Sequence, residues 1–229
     1  MTTDTSSTLT DQAFTRLRAD VLAGTFPPGA KLKMDDLQAA YGFSSSPLRE
    51  ALSRLSQEGL IRSDERRGFR VPPLTLEDLA DITRMRLMLE VSALGEAIEH
   101  GDDRWEAAIV AAYYRLEKVE ARFGEGSTLL NEEWRALHRD FHVALLAACP
   151  SRRHLNWCFS LFDLAERYRQ FSATHRMTPR RRSDEHRKLM EATLQRDRVE
   201  ACELLMRHIE STKRNVEEAL RALEPAVQA

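Results

Sequence analysis

Four histidines are candidate ligands for a single metal ion. His138 and His142 are four residues apart in WRALHRDFHVALL, so a helix would project both side chains from its apolar face. His186 and His208 each fall on the apolar face of a further predicted helix. Imidazole nitrogens at this spacing suit first-row transition metals, whereas four core histidines satisfied by hydrogen bonds are the alternative that the spacing leaves open. The remaining histidines fall near predicted helix ends and are interpreted as ordinary polar residues: His100, His154 and His175.

Arg86 is the candidate for binding a carboxylate. It interrupts the apolar stripe of a predicted helix, between Ile82 and Leu89. A guanidinium that faces a pocket would bind a carboxylate through two parallel hydrogen bonds, whereas Glu90, one turn later, would instead form an ion pair with it. The spacing allows both. Weaker candidates are Arg84, Arg167 and Arg169, the last two in ERYR, which is equally compatible with a solvated face.

Long helices must position these side chains, because glycine and proline become scarce in the C-terminal part. After Gly126 there is no glycine, and after Gly101 the prolines are Pro150, Pro179 and Pro225. Apolar spacing predicts helices over 76–100, 103–122, 128–149, 152–173, 181–195 and 198–223. The region is therefore predicted to be an all-α bundle of six or seven helices.

A smaller module, dense in breakers, precedes Pro72-Pro73. Helices are predicted over 11–23 and 34–41, and Gly42 then permits a tight turn before a helix that Ser44 or Ser45 caps and Gly59 ends. The buried stripe of this last helix is Leu48, Ala51, Leu52 and Leu55. FPPGAKL is predicted to be a turn, and Leu60-Ile61-Arg62 to pair with Phe69-Arg70-Val71 as strands. Two helices joined by a glycine turn and followed by a hairpin are typical of a winged helix-turn-helix. Together with the helical bundle, this module makes the predicted fold of the chain mainly α.

The exposed positions of this module suit DNA. The first turn of a recognition helix enters the major groove, where side chains and free N–H groups reach bases and phosphates. In that turn lie Ser44, Ser45, Ser46, Pro47 and Arg49. The predicted wing carries Arg66, Arg67, Gly68 and Arg70, which suit phosphate or minor-groove contact. A small helical domain with solvated arginines is the alternative.

Composition limits the class of protein. With 229 residues, the chain has room for one large core and a smaller module, predicted as residues 1–73 and 74–229. The net charge of −2 excludes a chain-wide basic field, so DNA binding would depend on local geometry. No apolar run approaches the roughly 20 residues that a bilayer requires. The polar N-terminus lacks signal-peptide features, and three cysteines without metal-type spacing fit a reducing cytoplasm, so we expect no membrane association.

The N-terminal module resembles the DNA-binding domain of the GntR family of bacterial transcription regulators. FPPGAKL, SSSPLREALSRLSQEGLI and RRGFRV carry the resemblance, which spans residues 11–73. It implies double-stranded DNA with an inverted-repeat operator as partner, bound by a homodimer. Ser45 stands where the family generally has a base-reading arginine. The absence of that arginine should remove about 1–3 kcal/mol of discrimination at the base it would read.

Residues 76–223 resemble the all-helical sensing domain of the FadR-type branch of that family. FHVALLAAC, EHRKLMEAT and RHI carry the resemblance and contain His142, His186 and His208, with which many members bind a divalent metal. The aspartate that usually precedes the first histidine by one turn is His138 here, which implies either a four-histidine site or a three-histidine site beside a bystander. Neutral ligands favour Zn, Ni, Co or Cu over Mg or Ca, with zinc the expected ion, and they favour an anionic effector. Because members of the family sense small organic acids, the resemblance favours the interpretation in which Arg86 faces the pocket.

The combined prediction is a cytoplasmic, homodimeric transcription regulator, not an enzyme. A winged helix-turn-helix would read the operator, and a small carboxylate at a histidine-ligated metal would control operator affinity. Two alternatives stay open at this point. One is a metal-dependent enzyme with an appended DNA-binding module. The other is a metal-only sensor, which needs no organic ligand.

Overall fold

The chain folds as two compact units. The computed structural model describes residues 7–64, 68–122, 132–175 and 184–223. Its two units are Met1–Leu74 and Thr75–Ala229, so the division falls directly after the Pro72-Pro73 pair and Leu74. Within the described ranges there are nine helices and three short strands. No described helix combines the length and the apolar character needed to cross a membrane.

The N-terminal unit has the predicted winged helix-turn-helix fold. Its elements are α1 (Leu9–Ala23), β1 (Lys31–Leu32), α2 (Met34–Tyr41), α3 (Ser45–Gln57), β2 (Arg62–Asp64) and β3 (Gly68–Arg70). Helix α1 begins two residues earlier than predicted, because the Thr8 hydroxyl accepts a hydrogen bond from the Asp11 backbone N–H and caps the helix. Gly42 joins α2 to α3 at φ +73°, a left-handed conformation that glycine adopts without strain.

The wing contains one more strand than the sequence predicted. The antiparallel order is β1-β3-β2, so the end of the predicted FPPGAKL turn pairs with β3. A two-residue strand is too short for alternation to reveal. The predicted strand start at Leu60 is also wrong, since Leu60 and Ile61 are buried in the core and pairing begins at Arg62.

Helix α3 packs against α1 through its apolar stripe, and the ion pair of Arg54 with Asp11 joins the two helices. Leu48, Ala51, Leu52 and Leu55 are fully buried, as predicted. The Arg54 guanidinium lies 4.1 Å from the centre of the Phe14 ring and donates to Asp11 at 2.8 Å. Burial of this face leaves the opposite face of α3 exposed to solvent.

The C-terminal unit is the predicted all-α bundle, with six helices in its described part. They are α4 (Leu76–His100), α5 (Asp103–Arg122), α6 (Glu132–Leu146), α7 (Arg152–His175), α8 (Glu185–Leu194) and α9 (Arg198–Leu223). The bounds of α4, α5 and α9 are those predicted. Helix α6 ends at Leu146 rather than at residue 149, because a turn that bonds the Cys149 N–H to the Leu146 carbonyl precedes Pro150. The predicted helical residues 128–131 and 181–183 lie outside the described residues.

One apolar core joins most of these helices. Leu94, Ile109, Leu116, Phe141 and Leu145, from α4, α5 and α6, are almost completely buried. Helix α8 packs against both α5 and α9, and α9 packs along α4. This packing brings α6, α8 and α9, which carry the four candidate histidines, around one interior point.

Candidate metal centre and nucleic-acid interface

The four candidate histidines meet inside the C-terminal unit. His138 and His142 come from α6, His186 from α8 and His208 from α9, and each is at most 5% exposed. Each offers one ring nitrogen, and these four atoms lie within 4.8 Å of one another. One cation could therefore contact all of them after small side-chain adjustments.

Three of the four rings carry a buried nitrogen that has no hydrogen-bond partner among the described residues. These atoms are His138 Nδ1, His142 Nε2 and His186 Nε2. A buried polar atom without a partner costs about 1–3 kcal/mol, so ordinary core histidines would not be left in this state. The cluster therefore fits coordination of a metal ion better than it fits histidines satisfied by hydrogen bonds.

A carboxylate outside the cluster orients the His208 ring, and a second carboxylate lies close to His186. Glu185 Oε2 accepts a hydrogen bond from His208 Nδ1 at 2.9 Å, and Glu120 Oε1 lies 3.7 Å from His186 Nδ1. In His208, a proton held on Nδ1 leaves Nε2 as the ring nitrogen that can act as a metal ligand. Carboxylates commonly support metal-binding histidines in this way.

Two of the four imidazoles, His138 and His142, are favoured in the neutral form. Burial lowers the pKa of His138 and of His142 well below the usual range, and the other histidines and nearby arginines lower both further by repulsion. His138 is held in place by Trp134, whose ring stacks on it at 4.5 Å between centroids. Neutral rings at fixed positions are suitable metal ligands without prior loss of a proton.

Arg86 is buried and forms the ion pair that the sequence left open. Its Nε donates to Glu90 Oε1 at 2.6 Å, and a second guanidinium nitrogen donates to Glu90 Oε2 at 3.1 Å. Both side chains are at most 3% exposed. In this structure the guanidinium binds the Glu90 carboxylate.

A small cavity lies beside His142. Its lining includes Glu90, Arg139, His142, Cys158, Phe159 and Phe162. Arg139 bonds Asp163 at 3.0 and 3.4 Å and remains about one-third exposed. The sequence reasoning did not identify Arg139, although its place three residues before His142 puts both on one helix face.

The solvated alternative for ERYR is wrong. Glu166, Arg167 and Arg169 are all buried, because α7 packs against α4 and α9. Arg169 donates to Glu166 at 2.5 and 2.9 Å and lies over the Phe162 ring at 4.2 Å. Arg84, by contrast, is exposed and pairs with Asp81.

The first turn of α3 is exposed as a recognition turn requires. Ser44, Ser45, Ser46 and Arg49 are exposed, and Pro47 is half-buried. The Ser44 side chain makes no capping hydrogen bond to its own helix. Its hydroxyl and the first N–H groups of α3 thus remain available to an external acceptor such as a phosphate.

The wing presents a row of cations that depends on strand register. Arg70 is paired with Lys31 on one side and with Arg62 on the other, and all three are exposed. Directly opposed residues share a sheet face, where like charges repel unless an anion neutralises them. Gly68 enters β3 at φ +82°. The predicted Arg66 and Arg67 lie outside the described residues. Lys31 and Arg62 were not predicted as part of the interface, because the sequence of separate strands does not reveal their register.

Two family models match the chain in succession. The model described as bacterial regulatory proteins, gntR family, matches residues 9–71, and the FCD domain matches residues 81–211, more than half of the chain. The chain is 37% identical over 204 residues to the uncharacterized HTH-type transcriptional regulator BphR of Paraburkholderia xenovorans strain LB400, covering 89% of this chain and 83% of that one. It is 36% identical over 197 residues to the HTH-type transcriptional repressor GlaR of Escherichia coli K12, covering 84% and 89%.

Solved structures agree with this assignment. Escherichia coli McbR/YncC shares the fold, with a TM-score of 0.77 over 93% of this chain and 99% of that one at 20% identity. A GntR-family regulator of Pseudomonas syringae pv. tomato gives a TM-score of 0.57 over 95% and 88% at 27% identity. These relatives are transcriptional regulators, which confirms the predicted class over the metalloenzyme. The chain therefore belongs to the GntR family: it is a DNA-binding transcriptional regulator with an FCD effector-binding domain.

Proposed function

We propose that this regulator binds Zn²⁺ or a similar transition metal through His138, His142, His186 and His208. The observation that carries the proposal is the set of buried ring nitrogens without partners among the described residues, in a cluster whose donor atoms lie within 4.8 Å of one another. The Nδ1 of His138, which belongs to that set, favours the four-histidine site over a bystander. Nitrogen donors favour Zn, Ni, Co or Cu, whereas Mg and Ca require oxygen ligands.

The effector we propose is a small organic acid. Four neutral ligands leave the +2 charge of the ion uncompensated, which favours an anion beside it. The cavity beside His142 is small, so we expect an acid of a few carbons whose entry requires the cavity wall to move.

Two arginines would act on that acid in different ways. Arg139 lines the cavity and is exposed enough to bind a carboxylate. Arg86 neutralises Glu90, a carboxylate of the cavity wall that would otherwise repel an anion. Arg86 would also bind the acid directly if it exchanged Glu90 for the incoming carboxylate.

For DNA, we propose a homodimer that places two α3 helices about one DNA turn apart on an inverted repeat. The proposed contacts are Ser44, Ser45, Ser46, Pro47 and Arg49 of the recognition turn, and Gly68 and Arg70 of the wing together with Arg66 and Arg67. Acid binding would favour an arrangement of the dimer that no longer matches the half-site spacing. Repression is the expected direction, because the relative GlaR is a repressor.

The test begins with an operator selected from random DNA by the zinc-loaded full-length protein. Fluorescence anisotropy then measures its affinity with a panel of small mono- and dicarboxylates, before and after chelation of the metal. We expect one acid to weaken DNA binding by about 5–150-fold, the usual range of allosteric coupling, and only in the metal-loaded protein.

The control is Arg139→Ala, which should bind the operator normally without acid and respond to acid far less. An operator affinity that stays constant with every acid shown by calorimetry to bind would overturn the effector proposal. Release of DNA on chelation alone, with no further effect of any acid, would identify a metal-only sensor.

A further inference from the structure

A second group of metal-binding side chain types meets at the turn between α6 and α7. Cys149 lies in that turn, His154 in the first turn of α7, and Glu96 in the last third of α4. They come from segments up to 58 positions apart in the sequence, so no local motif predicts that they meet. None of the three belongs to the four-histidine cluster, and His154 was interpreted from sequence as an ordinary polar residue.

The three donor atoms lie at distances that one ion can bridge. Cys149 Sγ is 3.3 Å from Glu96 Oε2 and 3.9 Å from His154 Nδ1, and Glu96 Oε1 is 3.7 Å from His154 Nδ1. All three donors fall within 4.8 Å of one another. Ligands about 2.0–2.3 Å from a tetrahedral zinc ion are separated by roughly 3.3–3.8 Å, so little movement is needed.

The orientation of His154 is already that of a ligand. Its Nε2 lies 2.8 Å from the Leu89 carbonyl oxygen, which can only accept, so Nε2 carries the proton and donates it. The lone pair is therefore on Nδ1, the nitrogen that faces Cys149 and Glu96. A backbone carbonyl is a common outer partner of a metal-binding histidine. The Ser151 hydroxyl, which accepts from the His154 N–H, fixes the start of the helix.

We propose that Glu96, Cys149 and His154 form a second metal site, selective for Zn²⁺. A thiolate, an imidazole and a carboxylate are all zinc ligands, and the thiolate excludes Mg²⁺ and Ca²⁺. On binding, the metal replaces the proton that the Cys149 thiol donates to Glu96, and that proton leaves to solvent. The ion would join the α6–α7 turn to α4, and a fourth position would remain for water or an external ligand.

Cobalt substitution tests this site without interference from the histidine cluster. Thiolate bound to Co²⁺ gives a near-ultraviolet sulfur-to-cobalt charge-transfer band, and the histidine cluster contains no sulfur. We expect the full-length, reduced protein to develop this band during titration with CoCl₂ and to lose it when Zn²⁺ is added. Absence of the band at saturating Co²⁺ would overturn the proposal.

Matched cysteine variants assign the band to its residue. Cys149→Ser should abolish it, whereas Cys202→Ser and Cys158→Ser should retain it. A band that persists in Cys149→Ser would refute the site. Should Cys149→Ser fail to fold, alkylation of the wild type followed by peptide mass mapping gives the same answer. Zn²⁺ should slow modification of Cys149 at least about tenfold relative to Cys202, and equal rates would reject the proposal.

Discussion

His138 lies between Trp134 and the three other buried histidines, with an Nδ1 that lacks a partner among the described residues. If it is a ligand, His138→Ala should weaken zinc binding by about 100-fold or more, since losing even an outer partner of a ligand costs roughly 10–100-fold. His138→Asp should restore binding and shift tolerance toward Mn²⁺, because carboxylate is a harder donor. Calorimetric titration with zinc measures the affinity of both variants. The titrations use a Cys149→Ser background so that the second proposed site does not contribute.

The matched comparison for this series is His142→Ala. This variant should lose the metal whether His138 is a ligand or a bystander. A wild-type affinity in His138→Ala, beside a lost affinity in His142→Ala, would make His138 a bystander. His175→Ala, at an exposed helix end, should leave the affinity unchanged.

Arg86 and Glu90 illustrate how a buried pair depends on both partners. Arg86→Ala would leave the Glu90 carboxylate buried without its cation, which should cost about 3–5 kcal/mol of unfolding free energy. The double variant Arg86→Met with Glu90→Leu should recover most of this loss. Urea denaturation followed by tryptophan fluorescence is suitable, because all three tryptophans lie in the C-terminal unit. A loss under about 1 kcal/mol in Arg86→Ala would contradict the prediction.

At the scale of elements, α3 separates its roles by face. Arg49 is exposed in the first turn, whereas Leu48 and Leu52 are fully buried. Arg49→Ala should therefore leave folding intact and remove about 1–3 kcal/mol of sequence-specific affinity. Anisotropy with the selected operator and with scrambled DNA measures this, and Arg104→Ala, an exposed arginine of α5, is the control. Normal operator affinity at physiological salt would disprove the placement of the recognition helix.

The wing should act on DNA without regard to sequence. Lys31, Arg62 and Arg70 form one exposed row, so any of them that neutralises a phosphate would release counterions. Replacing Arg62 or Arg70 by alanine should weaken operator and scrambled DNA alike and reduce the slope of log affinity against log salt by about 0.9 for each phosphate that is no longer neutralised. Titrations at several salt concentrations give the slope; an unchanged slope in the Arg62→Ala, Arg70→Ala double variant would remove the row from the interface.

For the molecule as a whole, the histidine cluster makes the stability of the metal-free protein depend on pH. The pKa of His138 and of His142 is lowered in the folded state, so below about pH 6.5 the unfolded chain binds protons that the folded chain does not. Stability should therefore be full above that pH and fall as pH decreases, by about 1.4 kcal/mol per unit for each histidine. Urea unfolding between about pH 7.5 and 5.5 tests the slope. The His100→Ala variant should show the same slope. A free energy of unfolding that does not change with pH would mean that His138 and His142 accept protons in the folded protein.

Much of this molecule followed from local pattern. Breakers and apolar spacing predicted α4, α5 and α9 with their observed bounds, because a helical period and its caps are properties of neighbouring residues. The same locality predicted the exposed turn at Ser45 and Arg49 and the shared face of His138 and His142. Spacing also placed His186 and His208 on apolar faces, although it could not show that these faces meet.

Tertiary structure decided which distant groups meet. Three helices bring the histidines together, strand register aligns Arg62 with Arg70, and packing of α7 against α4 carries His154 to Glu96 and Cys149. Packing also buried ERYR, and it placed Arg86, with Glu90, in an interior where the ion pair forms. The physical reason is one of range: the chain's own period sets where a side chain points on its element. Only the burial of apolar surface between elements sets what lies opposite it.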